Sequence, residues 1–123
     1  MTFLIIGAVI AIVLVLLYIF PIIVVEGNSM LPTYHSGDIL IGIRMFSCFK
    51  SPLKLRGIYI FCPPYAKDKD RHYVVKRLMH INDGGKLFFE GDNPSESYDS
   101  RMYGYVNRDC VIARCLFTVI RKE

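Results

Sequence analysis

The feature that most constrains this chain is an uncharged apolar run near its N-terminus. From Phe3 to Val25 the sequence contains no Asp, Glu, Lys or Arg, and nearly every position is aliphatic or aromatic. About 20 apolar residues are needed for a helix to cross a hydrocarbon core of about 30 Å. The run therefore predicts a transmembrane helix over 3–25, with Pro21 near the end that it can kink or terminate.

A cleavable secretory signal is the alternative interpretation of this run. Such a signal has a basic start, an apolar core of roughly 7–15 residues and small residues before its cleavage point. Met1-Thr2 supplies no basic residue, and Ile23-Val24-Val25 supplies no small one. The sequence thus favours a retained, single-pass membrane anchor.

The remaining residues, 26–123, suffice for one small domain. The first Lys or Arg is Arg44, so the formal net charge of +4 belongs to this domain. A basic domain held at a bilayer favours contact with anionic lipid, and an ordinary solvated surface is the simpler alternative. Membrane lipid is therefore an expected partner, and nucleic acid is not.

The four cysteines show no C-x-x-C spacing of the kind that binds metal. Cys48, Cys62, Cys110 and Cys115 have three possible disulfide pairings, or they remain free. Cys110 and Cys115 flank the apolar stretch Val111-Ile112-Ala113, where thiols packed as small apolar groups are the default expectation. The sequence predicts neither a metal site nor a cofactor.

Beyond the anchor, short apolar stretches are divided by Gly, Pro, Asn and Asp, a pattern typical of β-structure. Asp83-Gly84 predicts a tight hairpin turn, and 91–104 is a long irregular loop of the kind that often carries function. A charged loop is expected over 67–71. The predicted strands cover 38–44, 57–62, 72–80 and 86–90, with one or two more between 106 and 120.

Ser29 lies directly after the apolar run, in Glu26-Gly27-Asn28-Ser29-Met30-Leu31-Pro32-Thr33. The flanking Gly, Asn and Pro predict a turn. A serine in a turn commonly hydrogen-bonds its own backbone. It is also accessible to a neighbouring base that activates it as a nucleophile, so this segment alone leaves both roles open.

Lys76 lies in Val74-Val75-Lys76-Arg77-Leu78, where strand alternation places Val74, Lys76 and Leu78 on one face. Burial between apolar neighbours disfavours the ammonium and lowers the lysine pKa. A neutral lysine can remove a proton from a serine hydroxyl. The alternative is a lysine whose stem covers the apolar face while its amine reaches water.

The segment 91–101 is rich in Gly, Asn, Ser and Asp. Asp99 and Arg101 are spaced to pair and brace the loop, and the Ser97 hydroxyl is suited to orient a lysine amine by accepting its hydrogen. The alternative is a solvated turn held by local side-chain bonds.

Four segments, in this order, resemble the motif boxes of type I signal peptidases. They are Gly-x-Ser-Met-x-Pro-Thr at 27–33, Gly-Asp-Ile-Leu at 37–40, Val-Lys-Arg at 75–77 and Gly-Asp-Asn-x-x-x-Ser-x-Asp-Ser-Arg-x-x-Gly at 91–104. The resemblance implies a mainly β, antiparallel, barrel-like catalytic domain at 26–123 behind one membrane helix. It implies a membrane-bound serine endopeptidase that removes signal peptides on the export side of the membrane.

By the same resemblance, Ser29 is the nucleophile, Lys76 is its general base and Ser97 holds Lys76 in place. The expected substrates are preprotein signal peptides with small residues one and three positions before the cut. The oxyanion hole would use the Ser29 backbone N–H and a second donor that the sequence does not identify. Three further residues fall on the family's structural and bracing positions: Arg77, Asp99 and Arg101.

The chain also departs from the family pattern. Gly27 stands where some members have a serine that stabilises the oxyanion, and 78–83 lacks the usual Pro-Gly-Asp turn after the lysine strand. Only a short hairpin occupies the interval in which larger members carry an extra domain. This minimal form is compatible with a specialised maturation peptidase of a secretion or conjugation system.

Two other classes of protein remain as alternatives. Self-cleaving repressors share the Ser-Lys chemistry and resemble this chain in Val-Lys-Arg-Leu, but they are soluble and recruit a DNA-binding arm. An inactive, membrane-tethered interaction module on a peptidase fold is the second, and Gly27 and the missing Pro-Gly-Asp turn leave it open.

Overall fold

The structure is a computed structural model and describes residues 1–46, 53–65 and 73–122. In this part of the chain, six strands form one sheet in the order β1-β2-β6-β3-β4-β5, and all neighbouring strands are antiparallel. The mainly β fold class behind one apolar helix is thus confirmed. The elements are α1 (Thr2–Ile19), β1 (Ile22–Val24), β2 (Ile39–Arg44), β3 (Ile58–Phe61), β4 (Val74–Ile81), β5 (Leu87–Glu90), α2 (Ser100–Tyr103) and β6 (Val111–Ile120), with 3-10 turns at Pro94–Glu96 and Arg108–Cys110.

Helix α1 is long and apolar enough to be a candidate membrane span, and none of its residues is buried. It is shorter than the predicted helix, because it ends at Ile19 and Ile22–Val24 forms β1 against β2. Pro21 explains the break, since it has no N–H to continue the helical ladder. The β-branched residues that follow suit a strand.

The predicted strands occur close to their predicted positions. The third begins at Val74 in the structure; His72, the charged loop 67–71 and Cys48 lie outside the described residues. The hairpin between β4 and β5 is confirmed, but its positive φ lies at Gly85 and not at the predicted Asp83-Gly84 pair. The Gly85 N–H donates a hydrogen bond to the Asn82 carbonyl (3.0 Å). The predicted irregular loop 91–104 contains the short helix α2.

The core has two parts. One lies beside β1, β2 and β6 and includes Met30 and Tyr34 from the segment after β1. The other lies beside β3, β4 and β5, where the Phe61 and Phe89 rings stack at 4.2 Å between centroids. The two segments that carry the predicted nucleophile and its predicted base, the turn after β1 and strand β4, are therefore attached to packed apolar clusters.

The Gly37-Asp38 motif fastens the first of these segments to the end of the sheet. Asp38 is buried, and its carboxylate accepts hydrogen bonds from the backbone N–H of His35 (2.9 Å) and of Lys122 (2.8 Å). These backbone donors hold the pKa of Asp38 below its usual value. The Gly37 N–H donates to the Val25 carbonyl (2.7 Å), which closes the turn that follows β1.

Candidate active site

A cleft of about 620 Å³ lies on one face of the sheet. Residues of β1 and β4 line it together, although β2, β6 and β3 separate these two strands in the sheet order. The sheet therefore curves around the cleft. Ser29 and Lys76 both line this cleft, so residues 47 positions apart in the sequence are brought to one site.

Ser29 begins a turn in the segment that follows β1, as the sequence predicted. The turn is anchored from inside by Met30, which is buried, and by a hydrogen bond from the Tyr34 N–H to the Met30 carbonyl (3.0 Å). Among the described residues, the Ser29 N–H donates no hydrogen bond. This backbone donor is thus available to an oxyanion in the cleft.

Lys76 lies in the middle of β4 and is only 5% exposed. Leu78, two residues further along the same face, is also buried, as the alternation predicted. Desolvation by this burial lowers the pKa of Lys76, and the nearby Asp99 carboxylate opposes the shift in part. The structure therefore makes Lys76 easier to deprotonate than an exposed lysine.

Ser97, Asp99 and Arg101 form a hydrogen-bonded group next to Lys76. The Ser97 hydroxyl donates to Asp99 (2.5 Å), and the Arg101 guanidinium donates to both oxygens of the same carboxylate (2.7 and 3.0 Å). Asp99 is fully buried. Burial by itself would raise the pKa of Asp99, but the hydrogen bonds from Arg101, Ser97 and the Gly91 N–H hold it well below its usual range.

Arg77 points to the other face of β4 and pairs with Asp92. Two of its nitrogens donate to the Asp92 carboxylate, both at 2.8 Å, and that carboxylate also accepts a bond from the Thr33 hydroxyl. Thr33 belongs to the turn that begins at Ser29. Asp92 thus connects the serine turn to the lysine strand, and the Arg77 hydrogen bond holds the pKa of Asp92 below its usual value.

The Gly91-Asp92-Asn93 segment also contacts the serine turn through its backbone. The Asn93 N–H donates to the Ser29 carbonyl (2.9 Å), and the Asn93 side-chain amide donates to the Asn28 carbonyl (3.0 Å). A Cβ atom at Gly91 would lie 2.2 Å from the Ser97 hydroxyl and 2.7 Å from the Ser29 carbonyl oxygen. Glycine is therefore required for Ser29 and Ser97 to approach each other here.

The structure places the predicted site residues around one cleft and its supporting loop. Among the described residues, however, no direct hydrogen bond joins Lys76 to Ser29 or to Ser97. The predicted pairing of Asp99 with Arg101 is confirmed. Gly27 has φ +80°, in the left-handed region that favours glycine. As a glycine, it supplies no hydroxyl to an oxyanion hole.

Sequence reasoning missed several residues. The sequence assigns no separate role to Asp92 and Asn93, although both belong to the Gly-Asp-Asn motif, which is the signal that points to them. Arg44 and Tyr73 also line the cleft. Nothing in their local sequence indicates this, because they reach the cleft only through the curvature of the sheet.

Residues 81–120 match the family described as signal peptidase, peptidase S26. This match supports membership of the type I signal peptidase family. It covers about one third of the chain and includes the 91–104 loop with Ser97, Asp99 and Arg101, whereas Ser29 and Lys76 precede it. No curated protein matches the chain. The family match supports a hydrolase with a signal peptidase-like function, and the family is associated with membranes.

Proposed function

We propose that this protein is a membrane-bound serine endopeptidase that removes signal peptides through a Ser29-Lys76 dyad. The observation that carries the proposal is the shared cleft, which is lined both by a turn serine and by a buried lysine with a lowered pKa. Neutral lysine is a competent general base for a serine hydroxyl at near-neutral pH. The apolar helix α1, which β1 connects to the serine turn, would hold this cleft at the surface of the membrane from which a signal peptide emerges.

In the proposed reaction, the neutral Lys76 amine removes the Ser29 proton as the serine oxygen attacks the carbonyl carbon before the scissile bond. The Ser29 N–H stabilises the oxyanion of the tetrahedral intermediate. The Lys76 ammonium then protonates the departing amine, and water hydrolyses the acyl-enzyme by the reverse roles. Ser97, itself fixed by Asp99, acts as the positioning residue for Lys76.

The proposed substrates carry small side chains before the cut. Met30, Ile60 and Ala113 line the same cleft as Ser29 and Lys76 and supply an apolar wall. Such a wall accepts a methyl group and excludes a large ring through steric overlap. The catalytic domain would face the export side, where preproteins emerge.

The decisive experiment is cleavage of a preprotein by the purified full-length chain in detergent micelles. We expect the parent protein to release the mature domain and Ser29→Ala to leave the preprotein intact while melting at a similar temperature. A preprotein with phenylalanine in place of alanine before the cut should remain uncut. Cleavage by Ser29→Ala at the parent rate would remove Ser29 from the mechanism.

The same assay separates this proposal from an inactive interaction module. A module would bind the preprotein and leave it intact under every condition, whereas the enzyme would convert it with repeated turnover. Failure of the parent protein to cleave several preproteins, with the fold intact, would favour the module. A preference for one preprotein over general ones would identify a specialised maturation peptidase.

A further inference from the structure

The cleft ends in a cation that the proposed chemistry does not use. Arg44, the last residue of β2, lines the same cleft as Ser29 and Lys76. Among the described residues, no carboxylate forms an ion pair with it. A charged group on a cleft wall without an anion next to it is suited to bind one from a ligand.

Arg44 is held in place by the end of helix α1. Its Nε donates to the Tyr18 carbonyl (2.8 Å), and its guanidinium carbon lies 4.3 Å from the centroid of the Tyr18 ring. The Tyr18 ring in turn contacts Phe46 at 6.1 Å between centroids. Only one of the five guanidinium N–H donors is used in these contacts, so a rigidly placed fork remains for a planar anion.

The Tyr18 contact also shows which part of a substrate would reach Arg44. Tyr18 lies in the last turn of α1, so Arg44 marks the end of the cleft nearest the helix, and β1 leads from there toward Ser29. A substrate anchored in the same membrane would enter from the helix side. The residues that precede its cut would therefore lie along the cleft toward Arg44.

The length of the cleft sets the spacing. The wall formed by 21–26 is six residues long, and an extended peptide rises about 3.3 Å per residue. A peptide whose scissile bond is at Ser29 would thus bring its residue about four to six positions before the cut to Arg44. Glu26, at the other end of this wall, would repel an acidic side chain closer to the cut.

We propose that Arg44 is a specificity residue that binds an aspartate or glutamate side chain about four to six positions before the scissile bond. The proposal rests on the proposed function, because it takes the cleft as the peptide site. A carboxylate matches the guanidinium fork in two hydrogen bonds, and partial burial in the cleft strengthens the attraction.

Binding tests this inference without cleavage. The full-length Ser29→Ala protein in nanodiscs of neutral lipid is titrated with fluorescent signal peptides that carry Asp, Asn or Lys five positions before the cut. We expect the Asp peptide to bind about tenfold more tightly than the Asn peptide, and the Lys peptide to bind most weakly. A tenfold ratio corresponds to about 1.4 kcal/mol.

Substitutions at Arg44 assign the preference to this residue. Arg44→Gln should abolish the Asp preference, and Arg44→Glu should transfer it to the Lys peptide. Arg121→Gln, which removes an exposed arginine outside the cleft, should leave the preference unchanged. If Arg44→Gln fails to fold, Arg44→Lys should keep a weaker Asp preference, because the charge remains while the fork is lost.

Equal affinity for the Asp and Asn peptides in the Ser29→Ala protein would overturn the inference. So would a preference that survives Arg44→Gln, or one that appears only when anionic lipid is added, since the latter would make a lipid phosphate the partner of Arg44. Cleavage by the parent protein is scored separately. Selective binding without cleavage would refute the proposed function and retain Arg44 as a peptide-binding residue.

Discussion

Lys76 and Arg77 are neighbours in β4, and strand alternation turns them to opposite faces with opposite surroundings. Lys76 faces the cleft, is almost fully buried, and has a lowered pKa. Arg77 faces Asp92 and is held by two hydrogen bonds that stabilise its charge. One face of the strand is therefore arranged to make proton loss easier, and the other to keep a charge fixed for structure.

The comparison also separates two kinds of carboxylate. Asp92 is bound directly by Arg77 and connects two chain segments. Asp99 is bound by Arg101 and Ser97 and remains close enough to Lys76 to oppose its pKa shift. Because Arg101 already neutralises Asp99, the lysine is not drawn into an ion pair that would keep it protonated. The lowering of the Lys76 pKa by desolvation is therefore larger than its raising by Asp99.

The largest expected effect is on catalysis at the cleft face. Lys76→Met should lower kcat/KM by about 10³-fold or more, because it removes the proposed general base and keeps the length of the side chain. Lys76→Arg should be equally inactive, since guanidinium does not release its proton. Preprotein cleavage measures both. His80→Gln, at an exposed position of the same strand, is the control and should retain most activity; a Lys76→Arg enzyme of parent activity would contradict the dyad.

The next largest effect is expected on the stability of the protein when Asp99 is replaced. Asp99→Asn removes a buried negative charge whose partner, Arg101, is partly exposed, and it should lower the free energy of unfolding by about 2 kcal/mol. Chemical denaturation measures this. Asp109→Asn, at an exposed position, is the control and should change stability little. Equal stability of Asp99→Asn and the parent would show that the Ser97-Asp99-Arg101 group does not brace the loop.

The opposite face of β4 gives a more modest effect. Arg77→Met should lower the free energy of unfolding by about 1 kcal/mol at pH 7, because its pair with Asp92 is partly exposed. The pKa of Asp92 is lower in the folded protein than in the unfolded chain. The pair therefore contributes its full stabilisation above the pKa of Asp92 in the unfolded chain, and this contribution is lost as the pH falls through the pKa of Asp92 in the folded protein. The difference between Arg77→Met and the parent should therefore shrink in acid. A constant difference from pH 7 to pH 2 would contradict this assignment.

The last predicted effect, on stability at the cleft face, has the opposite sign. Lys76→Met should raise the free energy of unfolding by about 1 kcal/mol at pH 7, since methionine fills the site without the desolvation of an amine. The pKa of Lys76 is lower in the folded protein than in the unfolded chain. Between these two pKa values the unfolded chain binds more protons, so the free energy of unfolding of the parent should increase as the pH rises through this range. The variant should lack this rise. If both Lys76→Met and Arg77→Met destabilised the protein at neutral pH, the predicted difference between the two faces of β4 would be wrong.

Local sequence patterns predicted much of this fold. Alternation predicted β4 and the burial of Lys76 with Leu78, because the side-chain period of a strand is a local property. The Asn-Asp-Gly-Gly segment predicted the β4–β5 hairpin for a similar reason. The apolar run predicted a helix, but its last residues joined the sheet as β1, since a free edge of β2 was available to pair with them.

The resemblance in four motifs placed six site residues by number before any geometry was known. Their pairwise contacts followed only where the partners are close in sequence, as in Asp99 with Arg101. The link from Thr33 through Asp92 to Arg77 joins three separate segments, and no local pattern encodes which of several acidic residues will fill that position.

Local sequence was sufficient to predict the apolar helix, the alternation that buries Lys76 and the turn that carries Ser29. These depend on backbone preferences and on residues within a few positions of one another. The tertiary structure alone decided that Ser29 and Lys76 share a cleft, that Gly91 must lack a Cβ atom, and that Arg44 reaches the cleft beside the end of α1. Sheet curvature and long-range strand order decide these contacts, because they bring together residues that the chain keeps far apart.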